Sequence, residues 1–394
     1  MWAQGTFKQR YIEMIETFIA YTDDPDSTDA VEEVLGELEN QLDGRIPSAA
    51  LLFCGIDYEH QELLDAINRC YPGIALIGAT TCGEIACGMG FERDSLVLTL
   101  FVSDTVEFAA GVGRGLSNDI ALATATAVED ARAQIRKAPG LCITFPESLT
   151  ASGSEITEGL NRVLDIPVIG GTAGDYVRFK QTYQFFNGEV LSDSIPVLLL
   201  GGEIHYGYGF SCGWQPVGER GTVTKVEGDM VFEIDHKPAT DFYLRYIPNL
   251  ERPTEYPIAI FDSTDSDYFY LRSPVSANHE TGSIHFFGDV PYGATVQCTI
   301  SDTEQVLRAT QDAVNSAKSM FGNGKPALML LFSCGGRAMY LGPRTSKEYE
   351  YAIDELDNDD PQVAGFYSYG EIVPLRAGEK SFFHNVTIIA LLLG

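Results

Sequence analysis

Basic side chains are scarce. Only 26 Lys and Arg stand against 56 Asp and Glu in 394 residues, a formal charge of −30. Phosphate backbones and anionic membrane surfaces are held through clustered Lys and Arg, so the charge argues against nucleic-acid and membrane partners. Long apolar runs are lacking too: IPVLLLGG and VTIIALLLG fall well short of the ~18–20 residues a membrane span needs. The amino terminus, MWAQGTFKQRYIEMIE, carries acids where a signal peptide is uniformly apolar. A soluble, cytoplasmic protein is expected. The 8 cysteines form no CxxC pair, and five precede glycine (Cys54, Cys82, Cys87, Cys212 and Cys334), which reads as small strand-ending residues in a reducing compartment. The 6 histidines include no HExxH and no paired spacing, and CxxCH is missing, so a multi-histidine metal site and covalent c-type haem are not indicated. Neither a GxSxG elbow nor a Walker loop is present.

What is present is a folded composition, 45% hydrophobic and 21% charged, over a length that suggests two domains. Residues 1–45 read as a helical extension. Phe7, Tyr11, Met14, Ile15 and Phe18 recur at helical spacing, and a second helix places Val31, Val34, Leu35, Leu38 and Leu42 on one face ahead of a Gly44 cap. From residue 49 an internal repeat appears. AALLFCG–HQELLDAINRC–IALIGATTCGEI, GLCITFP–SEITEGLNRVL–IPVIGGTAGDY and ALMLLFSCGGR–EYEYAIDELD–QVAGFYSYGEI each read as strand, helix and strand. Each copy closes on a hydroxyl residue, a variable residue, glycine and an acid: Thr81–Glu84, Thr172–Asp175 and Ser368–Glu371. Apolar strands follow at a distance (DSLVLTLF, SIPVLLLGG, HNVTIIALLL). Between the second and third copies, residues 183–300 alternate and carry an Asn187-Gly188 turn, the texture of antiparallel sheet. The expected fold is therefore α/β: repeated strand-helix-strand units in a mixed or parallel sheet, with an antiparallel β-rich middle segment. Two domains, 46–245 and 246–394, follow the extension.

The tetrads fall where strands leave the carboxyl edge of a sheet, the crevice in which open α/β sheets bind ligands. Glycine permits close backbone approach there, and the acid can hold an ammonium or guanidinium group. In FSCGGR, Arg337 can clamp a carboxylate through its planar fork, while Ser333 or Cys334 is a candidate nucleophile. A single histidine suffices as a haem axial ligand, and His384, in FHNVT, lies in a structured motif.

IALIGATTCGEI, IGGTAGD, GFSCGWQPVG with VTKVEG, VFEIDHKPATDFYL, LLFSCGGR, GFYSYGEI and the closing HNVT strand together resemble the FIST proteins, with FIST N and FIST C domains in tandem, over residues 40–394. The resemblance implies sensing rather than catalysis: a small-ligand input module that regulates a histidine kinase, a cyclic-di-GMP enzyme or another signalling partner, with amino acids among the ligands proposed for the family. Some stand-alone tandem FIST proteins of this size are haem-based nitric oxide sensors acting on a separate histidine kinase, which makes haem b, with His384 as its ligand, an alternative. The motifs carried over point to Thr172, Gly174 and Asp175, to Cys334 and Arg337, and to Tyr369, Gly370, Glu371 and His384. The chain carries no output domain and so reads as a stand-alone sensor or an input fragment. The leading expectation is an amino-acid-like ligand held between Arg337 and Glu371. A Cys334- or Ser333-dependent enzyme is the reading from a different class.

Overall fold

The computed structural model describes residues 15–261, 263–356 and 361–394. Apolar runs that follow helices form strands buried on both faces, and these assemble into three copies of one unit. The first copy runs β1 (Glu16–Thr22), α1 (Ser27–Leu42), β2 (Ala49–Cys54), α2 (His60–Cys70), β3 (Ala75–Thr80), a hairpin of β4 (Glu84–Ala86) and β5 (Gly90–Glu92), and β6 (Leu96–Val102). The second runs β7 (Val106–Arg114), α3 (Ile120–Gln134), β8 (Pro139–Thr144), α4 (Gly153–Val163), β9 (Val168–Gly171), the hairpin β10 (Gln184–Phe186) and β11 (Glu189–Leu191), and β12 (Ser194–Gly202). The third opens with β13 (Tyr206–Ser211) and is then interrupted by β14 (Gln215–Glu227) through β21 (Thr295–Ile300), which form an antiparallel eight-stranded sheet with the short helix α5 (Ala239–Tyr243) between its strands. The copy resumes with α6 (Thr303–Phe321), β22 (Leu328–Cys334), α7 (Gly335–Leu341), α8 (Lys347–Asp354), β23 (Gln362–Ser368), β24 (Glu371–Pro374), β25 (Ser381–His384) and β26 (Ile388–Leu393).

The hairpins are exchanged in a ring. Each six-stranded sheet holds four strands of its own copy plus the hairpin of another: β1-β6-β2-β3-β10-β11, β7-β12-β8-β9-β24-β25 and β13-β26-β22-β23-β4-β5. In every sheet the inner pair (β2/β3, β8/β9, β22/β23) is parallel. Each outer strand runs antiparallel to its neighbour. The inner faces meet at one core. Phe53, Phe145 and Phe332, at the same place in β2, after β8 and in β22, converge with ring centroids 5.1 Å (Phe53–Phe145) and 5.7 Å (Phe145–Phe332) apart, and Phe366 packs on all three. Such tight aromatic packing at the centre adds to simple area burial.

One glycine per copy fixes the register. A Cβ on Gly78, Gly170 or Gly365 would lie 2.1, 1.9 and 1.9 Å from the carbonyl oxygens of Leu52, Thr144 and Leu331, so only glycine permits this approach. The residue after each of these glycines pairs with the first residue of the incoming hairpin: Ala79 with Gln184, Gly171 with Glu371 and Phe366 with Glu84. Glu84, Gln184 and Glu371 are therefore structural equivalents. The sequence pattern aligned Asp175 with Glu84 and Glu371, and the register corrects this. Two residues precede the hairpin in the first copy (Cys82, Gly83) and in the third (Tyr369, Gly370), whereas ten, residues 174–183, do so in the second. Asp175 belongs to that insertion.

The amino-terminal expectation is corrected in the same way. Phe7, Tyr11 and Met14 lie outside the described residues, but Phe18 lies in β1, a strand paired along its length with β6. The helix over Val31–Leu42 forms as α1, capped by Asp26 and ending on the left-handed Asp43. Residues 16–42 are thus the first strand and helix of copy one, in the place that β7–α3 and β13–α6 take in the others.

Candidate functional site

The insertion in copy two breaks the threefold pattern, and it lines a cavity. Asp175 is buried, and its carboxylate accepts from the amides of Phe179, Lys180 and Gln181 at 2.9, 2.8 and 3.0 Å, and from the Tyr369 hydroxyl. This cradle bends the chain so tightly that three non-glycine residues in four, Tyr176, Val177 and Phe179, take φ of 58°, 63° and 52°. Left-handed conformations in such residues cost energy and concentrate at functional loops. Two further ties anchor the loop to copy one: Arg178 reaches Asp57 through both guanidinium nitrogens, at 2.8 and 2.5 Å, and the Tyr176 hydroxyl contacts the Asp94 amide. At its tip Phe179 stacks between Tyr369 (4.6 Å, 17°) and Phe287 (5.4 Å, 23°).

On one side of this stack lies a cleft of about 570 Å³, between the carboxyl ends of β22 and β23 and the antiparallel sheet. Its wall is largely apolar: Val177, Phe179, Val275, Phe287, Met339, Tyr340, Tyr369 and Val386. The polar groups inside are neutral, from Ser273, Cys334, Ser368 and Asn385, while charge is confined to Glu251, Arg252 and Glu255. Arg252 is 80% exposed and 3.3 Å from Glu255, which places these charges at the mouth. An apolar interior with a few convergent polar groups is the usual constitution of a small-molecule site.

Of the residues expected from sequence, Cys334 and Tyr369 line this cleft, whereas Arg337 and Glu371 do not. Arg337 is fully buried behind it. Its Nε donates to Glu348 Oε1 at 2.8 Å, Nη1 to the Cys212 carbonyl at 2.6 Å and Nη2 to the Val306 carbonyl at 2.8 Å, with a second Nη2 contact to Glu348. Glu348 also accepts from Ser333 and Tyr367. The guanidinium therefore ties α7, α6 and α8 together and has no face toward a ligand. Glu371 is equally enclosed, accepting from Ser368 and Thr387 at 2.7 Å each. A zwitterion clamped between these two side chains is ruled out by burial. Thr172, Gly174 and Gly370 shape the turn beside the stack; the Thr172 amide donates to the Gly370 carbonyl at 2.8 Å.

Ser333 and Cys334 lack the setting of a nucleophile. Ser333 points at Glu348 rather than the cleft. Cys334 as a residue is 5% exposed, and burial together with the Glu371 carboxyl pushes its thiol pKa well above the usual range. A thiol held neutral reacts slowly. Iodoacetamide at pH 8 is expected to label exposed Cys70 well ahead of Cys334, as peptide mass mapping would read. Faster labelling at Cys334 would reopen the catalytic reading.

Haem does not fit His384. The ring is fully buried, its Nε2 is 3.2 Å from the Val373 carbonyl, Phe210 packs on it at 4.9 Å, and it does not line the cleft. Burial pushes its pKa down to about 3, so it is a neutral packing residue. Among the described residues no group of three or more His, Cys, Asp and Glu could hold a metal.

Two family models match the chain, FIST N over residues 48–237 and FIST C over 239–374. The chain belongs to the FIST family. The join falls inside the antiparallel insertion, so the FIST N segment supplies β13 to the third copy. Similar chains include an uncharacterized protein of Methanocaldococcus jannaschii, 29% identical over 82% of this chain and 69% of that one. Another, from Mycobacterium bovis, is 24% identical over 92% of this chain and 95% of its own. Among solved structures, a chorismatase aligns over 97% of this FIST chain and 99% of its own at 10% identity, with a TM-score of 0.37. A cyanuric acid hydrolase from A. caulinodans aligns over 96% and 99% at 8% identity, also at 0.37. No helix among the described residues is long and apolar enough to cross a membrane.

FIST domains are associated with sensing in signal transduction. The residues that sequence reasoning missed, Phe179, Val275, Phe287 and Arg252, come from the copy-two insertion and the antiparallel sheet. A signal for the first existed: three aromatics in DYVRFKQTY, between a tetrad and its strand, where the other copies have no such segment.

Proposed function

We propose that this FIST protein is a cytoplasmic small-ligand input protein, whose ligand occupies the cleft under Phe179 and whose loop 175–181 passes occupancy to a signalling partner such as a histidine kinase or a cyclic-di-GMP enzyme. The observation that carries this reading is that the copy-two insertion, through Val177 and Phe179, walls the cleft together with the antiparallel sheet that interrupts copy three. A ligand there contacts Phe179 and Tyr369 directly, and through Arg178–Asp57 and Tyr176 any shift of the loop reaches copy one. A ligand moves that equilibrium only by its differential affinity for the two loop positions.

The chemistry favours an amino-acid-like molecule with an apolar side chain. Its body suits the aromatic wall, and its carboxylate and ammonium suit Arg252 and the Glu251/Glu255 pair at the mouth. Arg252→Ala is expected to weaken binding of an apolar amino acid by about 1–2 kcal/mol, since one charge-assisted pair is lost at a partly solvated position. Calorimetry with leucine and phenylalanine reads this directly. Unchanged affinity in Arg252→Ala would remove the zwitterion from the reading.

A further inference from the structure

A second chamber, of about 600 Å³, adjoins the cleft at the Phe179 stack and shares Phe179, Val275, Phe287, Tyr369 and Asn385 with it. Its chemistry is different. The loop 148–153, ahead of α4, supplies hydroxyls from Ser148, Thr150 and Ser152. The antiparallel sheet supplies two carboxylates, Asp229 and Asp289, and no lining residue is Lys or Arg. One Asp229 oxygen is 3.0 Å from His285 Nε2, and one Asp289 oxygen accepts from Ser152 at 2.6 Å. Arg272, which is 3% exposed, is not among the residues that line the chamber. Its guanidinium donates to the carbonyls of Asp289, Leu271 and Phe383 and to Ser154, and it stacks 5.2 Å from the Phe383 ring.

We infer that this chamber is a second ligand site, which binds an organic cation of the alkylammonium class. Two features of the chamber favour that chemistry independently of each other. The aromatic side chains of Phe179, Phe287, Tyr369 and Phe383 line one cavity, and a soft cation is attracted to the negative face of such rings. Two carboxylates, with no lining Lys or Arg and one neutral-capable imidazole, His285, favour a negative local potential, and the chain's charge of −30 deepens it. A compact, strongly hydrated metal ion would gain nothing from the rings, whereas an alkylated ammonium gains from both. The shared wall makes Phe179 a neighbour of either ligand, but Asp229 and Asp289 line the second chamber alone.

The probe is choline, compared with its uncharged isostere 3,3-dimethylbutanol, titrated calorimetrically into the full chain at constant ionic strength. Saturable choline binding at least tenfold tighter than the alcohol is expected. Asp289→Asn is expected to weaken choline at least fivefold and leave the alcohol unchanged, with Asp229→Asn as a second variant should the first lose its fold by circular dichroism. Arg252→Ala, in the cleft, should leave choline affinity untouched, so failure of the cleft reading and failure of this one are separable. Equal binding of choline and alcohol, no saturable choline binding, or indifference of both Asp variants would each overturn the inference.

Discussion

Arg337→Ala is expected to destabilise the fold by about 3–5 kcal/mol, the cost of stranding Glu348 as a buried, uncompensated carboxylate. Both side chains are at most 1% exposed, and Arg337, in α7, is tied to α8 through Glu348, to α6 through the Val306 carbonyl and to the chain after β13 through the Cys212 carbonyl. The lost charge is only part of the effect, because the carbonyls of Cys212 and Val306 lose their donors too. Urea unfolding measures the loss. The folded fraction should bind leucine as wild type does, since no Arg337 atom lines the cleft. Replacing both partners by apolar residues, Arg337→Met with Glu348→Leu, is expected to recover much of the stability. A stable Arg337→Ala with weakened binding would return Arg337 to the ligand.

The second large effect concerns Glu84 and Glu371. Burial raises both carboxyls to about 7, against hydrogen bonds that pull the other way. The structure shows why a neutral form suits them: their register equivalent is Gln184, whose carboxamide oxygen accepts from Ser194 at 3.1 Å and whose amide donates to Thr182 at 3.2 Å. Glu84 and Glu371 keep the same frame, accepting from Ser95 and Thr387 at 2.7 Å and meeting Thr81 and Ser368 on the other side. Glutamine mimics a protonated glutamate with this donor and acceptor arrangement.

The sign follows from linkage. A carboxyl raised in the fold contributes stability that is complete below its unfolded pKa, near 4.5, and is lost as pH rises through about 7. Glu84→Gln with Glu371→Gln removes that loss. The double variant should be more stable than wild type at pH 8, by on the order of 3 kcal/mol per glutamate, with the difference closing toward pH 5. Alanine at either position should instead destabilise, because it leaves two buried hydroxyls unpaired. A double glutamine variant less stable than wild type at pH 8 would mean that the carboxylates are charged in the fold and valued as such.

The repeat was legible because its strands are continuous apolar runs and its helices have one apolar face, signals that survive without knowledge of tertiary structure. The ring of exchanged hairpins was not, because β4, β10 and β24 are three or four residues long and pair with other copies. Their partners are set by the central packing and not by local pattern. Asp175 misled for a related reason: its spacing to Thr172 copies Thr81–Glu84, and only the register shows that the equivalent is Gln184. Phe18 fits a helical period by coincidence, and pairing with β6 decides for a strand. Arg337 looked like a free clamp because Glu348, eleven residues on, lies in a helix whose packing the sequence does not display.

The account rests on the copy-two insertion as the ligand-sensing element. The most direct test replaces residues 174–183 by the two residues Cys-Gly that serve the first copy, and compares this variant with wild type by calorimetry against leucine and phenylalanine. Because copies one and three fold with two residues at this point, the shortened chain should remain folded and cooperative in thermal unfolding. The account predicts saturable binding to wild type and none to the shortened chain. Equal binding to both, or no binding to wild type, would contradict it.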